Sequence, residues 1–296
     1  MAGLGGGRLM YMSWGDGPHA MEIAYSIWSA QSWTWGGPMP PIVIYTDDPN
    51  RFRRLVKDVI PVDYQQIEQW RGEQGYTYRA KIFAIADALQ RFGCPIVMLD
   101  SDTYFLRDPW ALLRRISPGR SLMHTWECHV NDSRDPAYRS IPARLRNEGL
   151  CDTSGARLEI PDQFDSFNSG VVGIHPEDAR LLDEVVCVTD QMYRITGVRT
   201  CEQLALGYVM SRKTRLSYAW DVVYHYHTWG LRNSFKQLLP VLLADSADMP
   251  NPERLKWLYA RRPRCRLRRR LNVQAQQALR RMGLKKQNVV FTSEAW

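Results

Sequence analysis

The chain has 296 residues, 45% hydrophobic and 24% charged, with 39 Lys+Arg against 31 Asp+Glu and a formal net charge of +8. That composition excludes disordered, collagen-like and low-complexity classes, and the length suffices to bury a sizeable core without disulfides. No run approaches the roughly 18–20 apolar residues needed to span a bilayer.

In chain order, RLMYMS (8–13) predicts a first strand, followed by the loop WGDGPH. A helix near 20–33 places Ile23, Ala24, Ile27 and Trp28 on one face. PIVIYTDDP (41–49) reads as a second strand running into acids and a turn. Residues 78–92 predict a helix whose apolar stripe is Ile82, Phe83, Ile85, Ala86 and Leu89. IVML (96–99) has the length and branching of a buried strand, and it runs straight into Asp100-Ser101-Asp102. SLMHTWE (121–127) is a further strand, and 128–162 reads as a polar, irregular excursion over the surface. Val171–Ile174 form another short strand, and Pro176 opens a helix with Leu181, Leu182, Val185 and Val186 on its face. A helix at 200–211 and a strand near 217–227 follow. Alternating apolar runs and helical patterns predict an α/β fold. The expected division is a catalytic domain over 1–240 and a basic helical C-terminal extension over 241–296.

The two aspartates carry the chemistry. Side chains alternate along an extended chain, so Asp100 and Asp102 point the same way at the mouth of a buried strand. Three uses are open to them: holding a hard cation such as Mg²⁺ or Mn²⁺, acting as nucleophile and acid, or capping a turn. A cation held there bridges a diphosphate and neutralises a leaving group. In FNSG (167–170), Asn168 offers donors and an acceptor, and Gly170 admits close backbone approach. YHYH (224–227) ends the last strand with His225 and His227 on one face, and imidazole ligates transition metals. Lys81 sits at a helix start, where a cation is unfavourable unless something negative lies near.

These residues occur in a familiar order: a lysine in YRAKIFAI, Asp100-Ser101-Asp102, FNSGVV, an E-Q pair in CEQLALG and a late H-x-x-G. Over roughly 8–236 the chain resembles GT-A glycosyltransferases, in particular glycosyltransferase family 8, which includes glycogenin and bacterial lipooligosaccharide galactosyltransferases. The resemblance implies a GT-A fold with a mixed, mostly parallel central sheet flanked by helices. It implies a metal-dependent hexosyltransferase using a nucleoside-diphosphate sugar, with UDP as carrier and a glycan or glycolipid as acceptor. By the same resemblance Asp100, Asp102 and His227 would hold Mn²⁺ or Mg²⁺. Asn168, Glu202 and Gln203 would lie at the reacting sugar. Tyr11, Ser13 and Asp47 would sit beside base and ribose. Lys81, Asp100, Ser101, Asp102, Gly230 and Lys236 would complete the donor site. Three positions depart from the family pattern: Glu202 stands for its Asp, Gly207 for its Asn, and Asn233 for its late Lys, with Arg232 and Lys236 nearby.

Two rival readings remain. Asp100-Ser-Asp102-Thr103 also resembles the first motif of haloacid dehalogenase-type phosphatases, although that motif normally follows the first strand and DSAD (245–248) is a poor downstream acidic pair. A non-catalytic polyanion- or membrane-binding protein is the other. Arg254 to Lys286 hold 13 Lys/Arg and no acid, densest in RRPRCRLRRR (261–270). That stretch fits an anionic membrane surface, with Trp257, Leu258 and Tyr259 as an apolar foothold, and no nucleic-acid module is present. The N-terminus lacks the pattern of a secretory signal, and the six cysteines show no C-x-x-C spacing. The expectation is a cytoplasmic protein with reduced thiols, peripheral at the inner face of the membrane where the basic stretch engages lipid.

Overall fold

Ile96–Leu99 are all buried, and the strand they form sits near the middle of a seven-stranded sheet. The computed structural model describes residues 6–34, 37–246, 249 and 251–261. Its strands are β1 (Arg8–Ser13), β2 (Ile42–Thr46), β3 (Asp58–Pro61), β4 (Ile96–Leu99), β5 (Thr103–Phe105), β6 (Arg120–His129), β7 (Leu150–Cys151), β8 (Arg157–Leu158), β9 (Asp165–Ile174), β10 (Arg215–Tyr218) and β11 (Val223–His225). Its helices are α1 (His19–Thr34), α2 (Tyr64–Arg71), α3 (Arg79–Phe92), α4 (Trp110–Leu113), α5 (Pro136–Arg139), α6 (Ile141–Glu148), α7 (Leu181–Thr196), α8 (Cys201–Lys213), α9 (Trp229–Asp245) and α10 (Asn251–Arg261). The main sheet runs β10-β6-β9-β4-β1-β2-β3. All its pairs are parallel except those of β9, which is antiparallel to both β4 and β6. The expected mixed, mostly parallel sheet flanked by helices is therefore present.

Both faces of the sheet are covered, and the strand alternation shows how. Met10, Ile96 and Met98 join a core with residues of α3, α7 and α8. Leu9, Tyr11, Val97 and Leu99 point the other way, into a core with Ile23, Ile27 and Ala30 of α1. Each fully buried aliphatic side chain of β4 contributes about 1.5–3 kcal/mol. β5 and β11 form a small antiparallel ribbon beside the sheet. α9 packs on it through Phe235, Leu239 and Leu242, which meet Tyr25, Tyr104 and Tyr226. The Tyr226 and Phe235 rings stack with centroids 3.8 Å apart.

The structure corrects several local expectations. The stretch 128–162 is not irregular: β6 runs on to His129, and α5, α6 and the β7–β8 hairpin follow. Ile141, Leu145, Leu150 and Ile160 anchor it in the main core, too few and too scattered to show a period. β9 begins at Asp165; Ser166, Asn168 and Ser169 in its first half are buried and hydrogen-bonded to Glu127, His225 and Glu202, a burial that no apolar run announces. The strand expected near 217–227 is two strands; the turn between them is tied by Arg115, which donates to both oxygens of Asp221 at 2.7 Å. β3 and α2 were unanticipated, although Asp63 caps α2 by accepting from Gln66 N–H at 2.8 Å.

A compact unit extends to Tyr259, and α9 carries the chain through residue 240. Leu258, expected as a membrane foothold, is buried among the α9 residues, with Trp257 packed against the same cluster. Arg254 lies over the Trp28 ring, 3.9 Å from its centroid. The basic stretch beyond Arg261, with Cys265, lies outside the described residues; the described cysteines are free thiols. Among the described residues no helix is long and apolar enough to cross a membrane.

α8 lies close against β9 at Gly207, where an added Cβ would fall 2.6 Å from Phe167 Cδ2. Phe167 is 3% exposed and stacks on Tyr218, so it has little room to yield. Gly207→Ala is expected to cost about 1–3 kcal/mol by overpacking, read as a lower midpoint in urea unfolding.

Candidate functional site

β4 ends at Leu99, and Asp100 N–H still donates to Gly170 O on β9 at 2.9 Å. The chain then turns, with Thr103 Oγ1 donating back to Asp100 O at 2.8 Å. β5 starts there, and its pairing with β11 sets Thr103 opposite His225. That register brings a histidine 123 residues away onto the aspartates: His225 Nε2 is 3.1 Å from Asp102 Oδ1. It is 3.8 Å from Asp100 Oδ2. One ligand atom from each of Asp100, Asp102 and His225 lies within 4.8 Å of the others.

The histidine in this cluster is His225 and not His227. β11 ends at His225, so the alternation that would have put both on one face stops there. His227 is exposed, its ring centroid 4.7 Å from that of His225.

The imidazole of His225 is fixed from behind. Its Nδ1 lies 2.8 Å from Asn168 Oδ1. The Asn168 amide cannot be turned over without loss, because Oδ1 also accepts from Gly170 N–H at 2.9 Å and Nδ2 donates to Glu127 Oε1 at 2.9 Å. So Nδ1 carries the proton, and Nε2 faces the two carboxylates. Gly170 makes room for the ring: a Cβ there would fall 2.2 Å from Nδ1.

The buried acids are matched by cations. Lys81, on α3, reaches Asp100 Oδ1 at 2.8 Å and Glu202 Oε1 at 3.2 Å. Burial pushes its ammonium pKa down, but the two carboxylates outweigh burial and hold it above its ordinary value. Arg232, on α9, reaches Asp102 Oδ2 at 3.1 Å and Glu22 Oε2 at 2.9 Å. Burial opposes the ionised form of Asp102, yet His225 and Arg232 hold its carboxyl well below the usual range. Burial likewise lowers His225, and the charge and hydrogen bond of Asp102 raise it further than burial lowers it. Glu22 is fully buried; hydrogen bonds from His19, Arg232 and Ser101 overcome burial and keep its pKa low. A second tier lies under the aspartates. Glu202 Oε1 accepts from Ser169 Oγ at 2.7 Å, and Gln203 Nε2 donates to Glu127 Oε2 at 2.8 Å.

The other expected site residues are placed unevenly. Ser101 joins the cluster, donating to Glu22 Oε2 at 2.6 Å. Tyr11 is instead fully buried in the α1-side core, its hydroxyl 2.9 Å from Ser26 Oγ. Ser13 is buried at the end of β1. Asp47 is exposed and accepts from Gly15 N–H at 2.8 Å, which joins the loops after β1 and β2. Gly230 and Lys236 are exposed on α9; Arg232 is the α9 cation that enters the site. Glu127, Glu22 and Ser169 were not anticipated. Glu22 had a legible signal, since Glu22, Ser26 and Ser29 recur at helical spacing in an otherwise apolar stretch. Glu127 had none. Of the acids in DSAD, Asp245 is exposed at the far end of α9, and Asp248 lies outside the described residues.

No family model matches the chain, and no curated protein matches it. Solved structures do match. One is the apo crystal structure of mouse xyloside xylosyltransferase 1, at 16% identity and a TM-score of 0.44, over 71% of this chain and 84% of that one. The functional reading below rests on the site itself.

Two carboxylates and an imidazole suit a divalent cation that accepts mixed oxygen and nitrogen ligands, such as Mn²⁺. The locked Nδ1–H of His225 is the outer-shell contact that a ligating histidine ordinarily has. The residues therefore fit a metal. Gly170→Ala and Asn168→Ala are each expected to weaken Mn²⁺ binding roughly 10–100-fold, measured by titrating the signal of free Mn²⁺ in electron paramagnetic resonance.

Proposed function

We propose that this chain moves a sugar from a nucleoside-diphosphate sugar, with UDP as carrier, to an acceptor hydroxyl on a glycan or glycolipid, assisted by Mn²⁺ or Mg²⁺. One observation carries the reading. The carboxylates of a D-x-D turn and a histidine from a distant strand converge beyond the carboxyl end of β4, next to β1, where ligands bind in open α/β sheets. The order of motifs along the chain supports it.

Asp100, Asp102 and His225 hold the cation. When bound, it supplies positive charge to the diphosphate as the glycosidic C–O bond breaks. Lys81 pairs with Asp100 and Glu202 and holds both carboxylates in place. Asn168 acts on His225, fixing the tautomer that leaves Nε2 free to ligate. Glu127 differs from the other acids: it is half-buried, and among the described residues no cation pairs with it. Gln203, Asn168 and Ser166 orient its carboxylate, which is suited to face positive charge developing at the anomeric carbon. The acceptor oxygen bonds to that carbon, the diphosphate departs with the bonding pair, and the acceptor proton leaves to solvent or to the released phosphate.

The test is the melting temperature with UDP, Mn²⁺, both and neither, for the wild type and for Asp102→Asn. UDP at about 100 times its Kd stabilises the fold by roughly 2.7 kcal/mol. The expected stabilisation requires Mn²⁺ and disappears in the variant. The variant starts from a lower midpoint, because Arg232 and His225 lose a buried partner, so the ligand-induced shift is the quantity to compare. Stabilisation by UDP that ignores Mn²⁺, or none with any nucleoside diphosphate, overturns the reading.

A further inference from the structure

One guanidinium in the site is held in an unusual way. Arg232 lies in the first turn of α9, where the helix dipole disfavours a cation. Two of its nitrogens are committed to α1: Nε donates to Glu22 Oε1 at 3.2 Å and Nη2 to Glu22 Oε2 at 2.9 Å. Nη2 also lies 3.4 Å from both Ser101 Oγ and His19 Nδ1. The third nitrogen, Nη1, points away from Glu22 to Asp102 Oδ2 at 3.1 Å. Glu22 is 0% exposed, and it also takes the Ser101 hydroxyl, so this carboxylate links α1, the aspartate turn and α9. A bidentate carboxylate fixes the plane of a guanidinium as well as its position. Glu22 thus mounts Arg232 and leaves one N–H edge directed at an oxygen that a metal would claim.

We propose that Glu22 and Arg232 form a diphosphate-sensing mount: Arg232 Nη1 pairs with Asp102 when no ligand is bound and with a diphosphate oxygen of the ligand when one is, while Glu22 holds the other two nitrogens throughout. Arg232 would then be a donor-binding residue and Glu22 its positioning residue. This deepens the glycosyl-transfer reading and rests on it. A half-buried arginine serves here better than lysine, because the fork can keep Glu22 and turn one edge to a phosphate.

The proposal makes opposite demands on two affinities. Removing Arg232 takes a competitor from Asp102, so Mn²⁺ alone binds at least as tightly as in the wild type. The same change weakens nucleoside diphosphates. Arg232→Met alone strands the Glu22 carboxylate in the core and risks misfolding, so the main variant is the neutral double, Glu22→Gln with Arg232→Met. Glu22→Gln and Arg232→Lys are made singly. Calorimetry with Mn²⁺ present compares UDP, GDP and ADP with UMP; Mn²⁺ alone is titrated separately. The double variant is expected to reduce the preference for diphosphate over monophosphate by about tenfold or more, with UMP and Mn²⁺ binding retained. Glu22→Gln lowers the same ratio by less, and Arg232→Lys does not restore it. An unchanged ratio in the folded double variant overturns the mount and leaves the donor reading standing. Parallel losses of Mn²⁺, UMP and UDP affinity also overturn it, since they mark a purely structural pair. A wild type that binds Mn²⁺ but no nucleoside diphosphate removes the donor reading and this inference with it.

Discussion

A buried carboxylate has to be compensated where it lies, and that constraint organises this protein. Asp102, Glu202 and Glu22 are almost without solvent contact, and Asp100 stands beside them. Lys81 answers Asp100 and Glu202, and Arg232 answers Glu22 and Asp102, with His225 between the aspartates. Each compensating group comes from a different element: α3, α9 and β11. The site is therefore also a junction. α1, α3, α8, α9, β9 and the β5–β11 ribbon are held in mutual register by charges whose separation in the interior would be expensive.

Several residues of the site are local fits to their neighbours. Glu202 reaches both Lys81 and Ser169 Oγ. Gly207 leaves room for the Phe167 ring, which fills the space against α8. Gly170 is required by the imidazole of His225, which occupies the volume any side chain would need. These fits are steric and electrostatic, and together they hold the cluster in place.

The arrangement is also strongly coupled. Asn168 touches His225 and Glu127, while Gln203 touches Glu127, Ser166 and the Ser169 backbone. Residues in one hydrogen-bonded network do not contribute additively. The groups that contact ligand and those that hold them are accordingly best distinguished by which affinity moves, and less well by the size of any single loss.

The sequence by itself determined the parts that depend on local pattern. β1, β2, β4, α1 and α3 follow from apolar runs and helical spacing, because both faces of the sheet are covered and the covering helices are long. Asp100, Asp102, Lys81, Asn168, Glu202 and Gln203 stood out as chemistry-bearing residues, and the fold brings them into one network. Tertiary structure decided what hinges on register and reach. His225 rather than His227 meets the aspartates because β11 ends at the rung where His225 pairs with Thr103 of β5, a limit that alternation along a single strand cannot reveal. Glu127 gains its place from a long β6–β9 pairing with register shifts. Glu22 and Arg232 lie 210 residues apart, and only the docking of α9 over α1 makes them partners. Contacts at such separations leave no periodic trace in the chain; they are fixed when the interior closes and every buried charge has to find its counterpart.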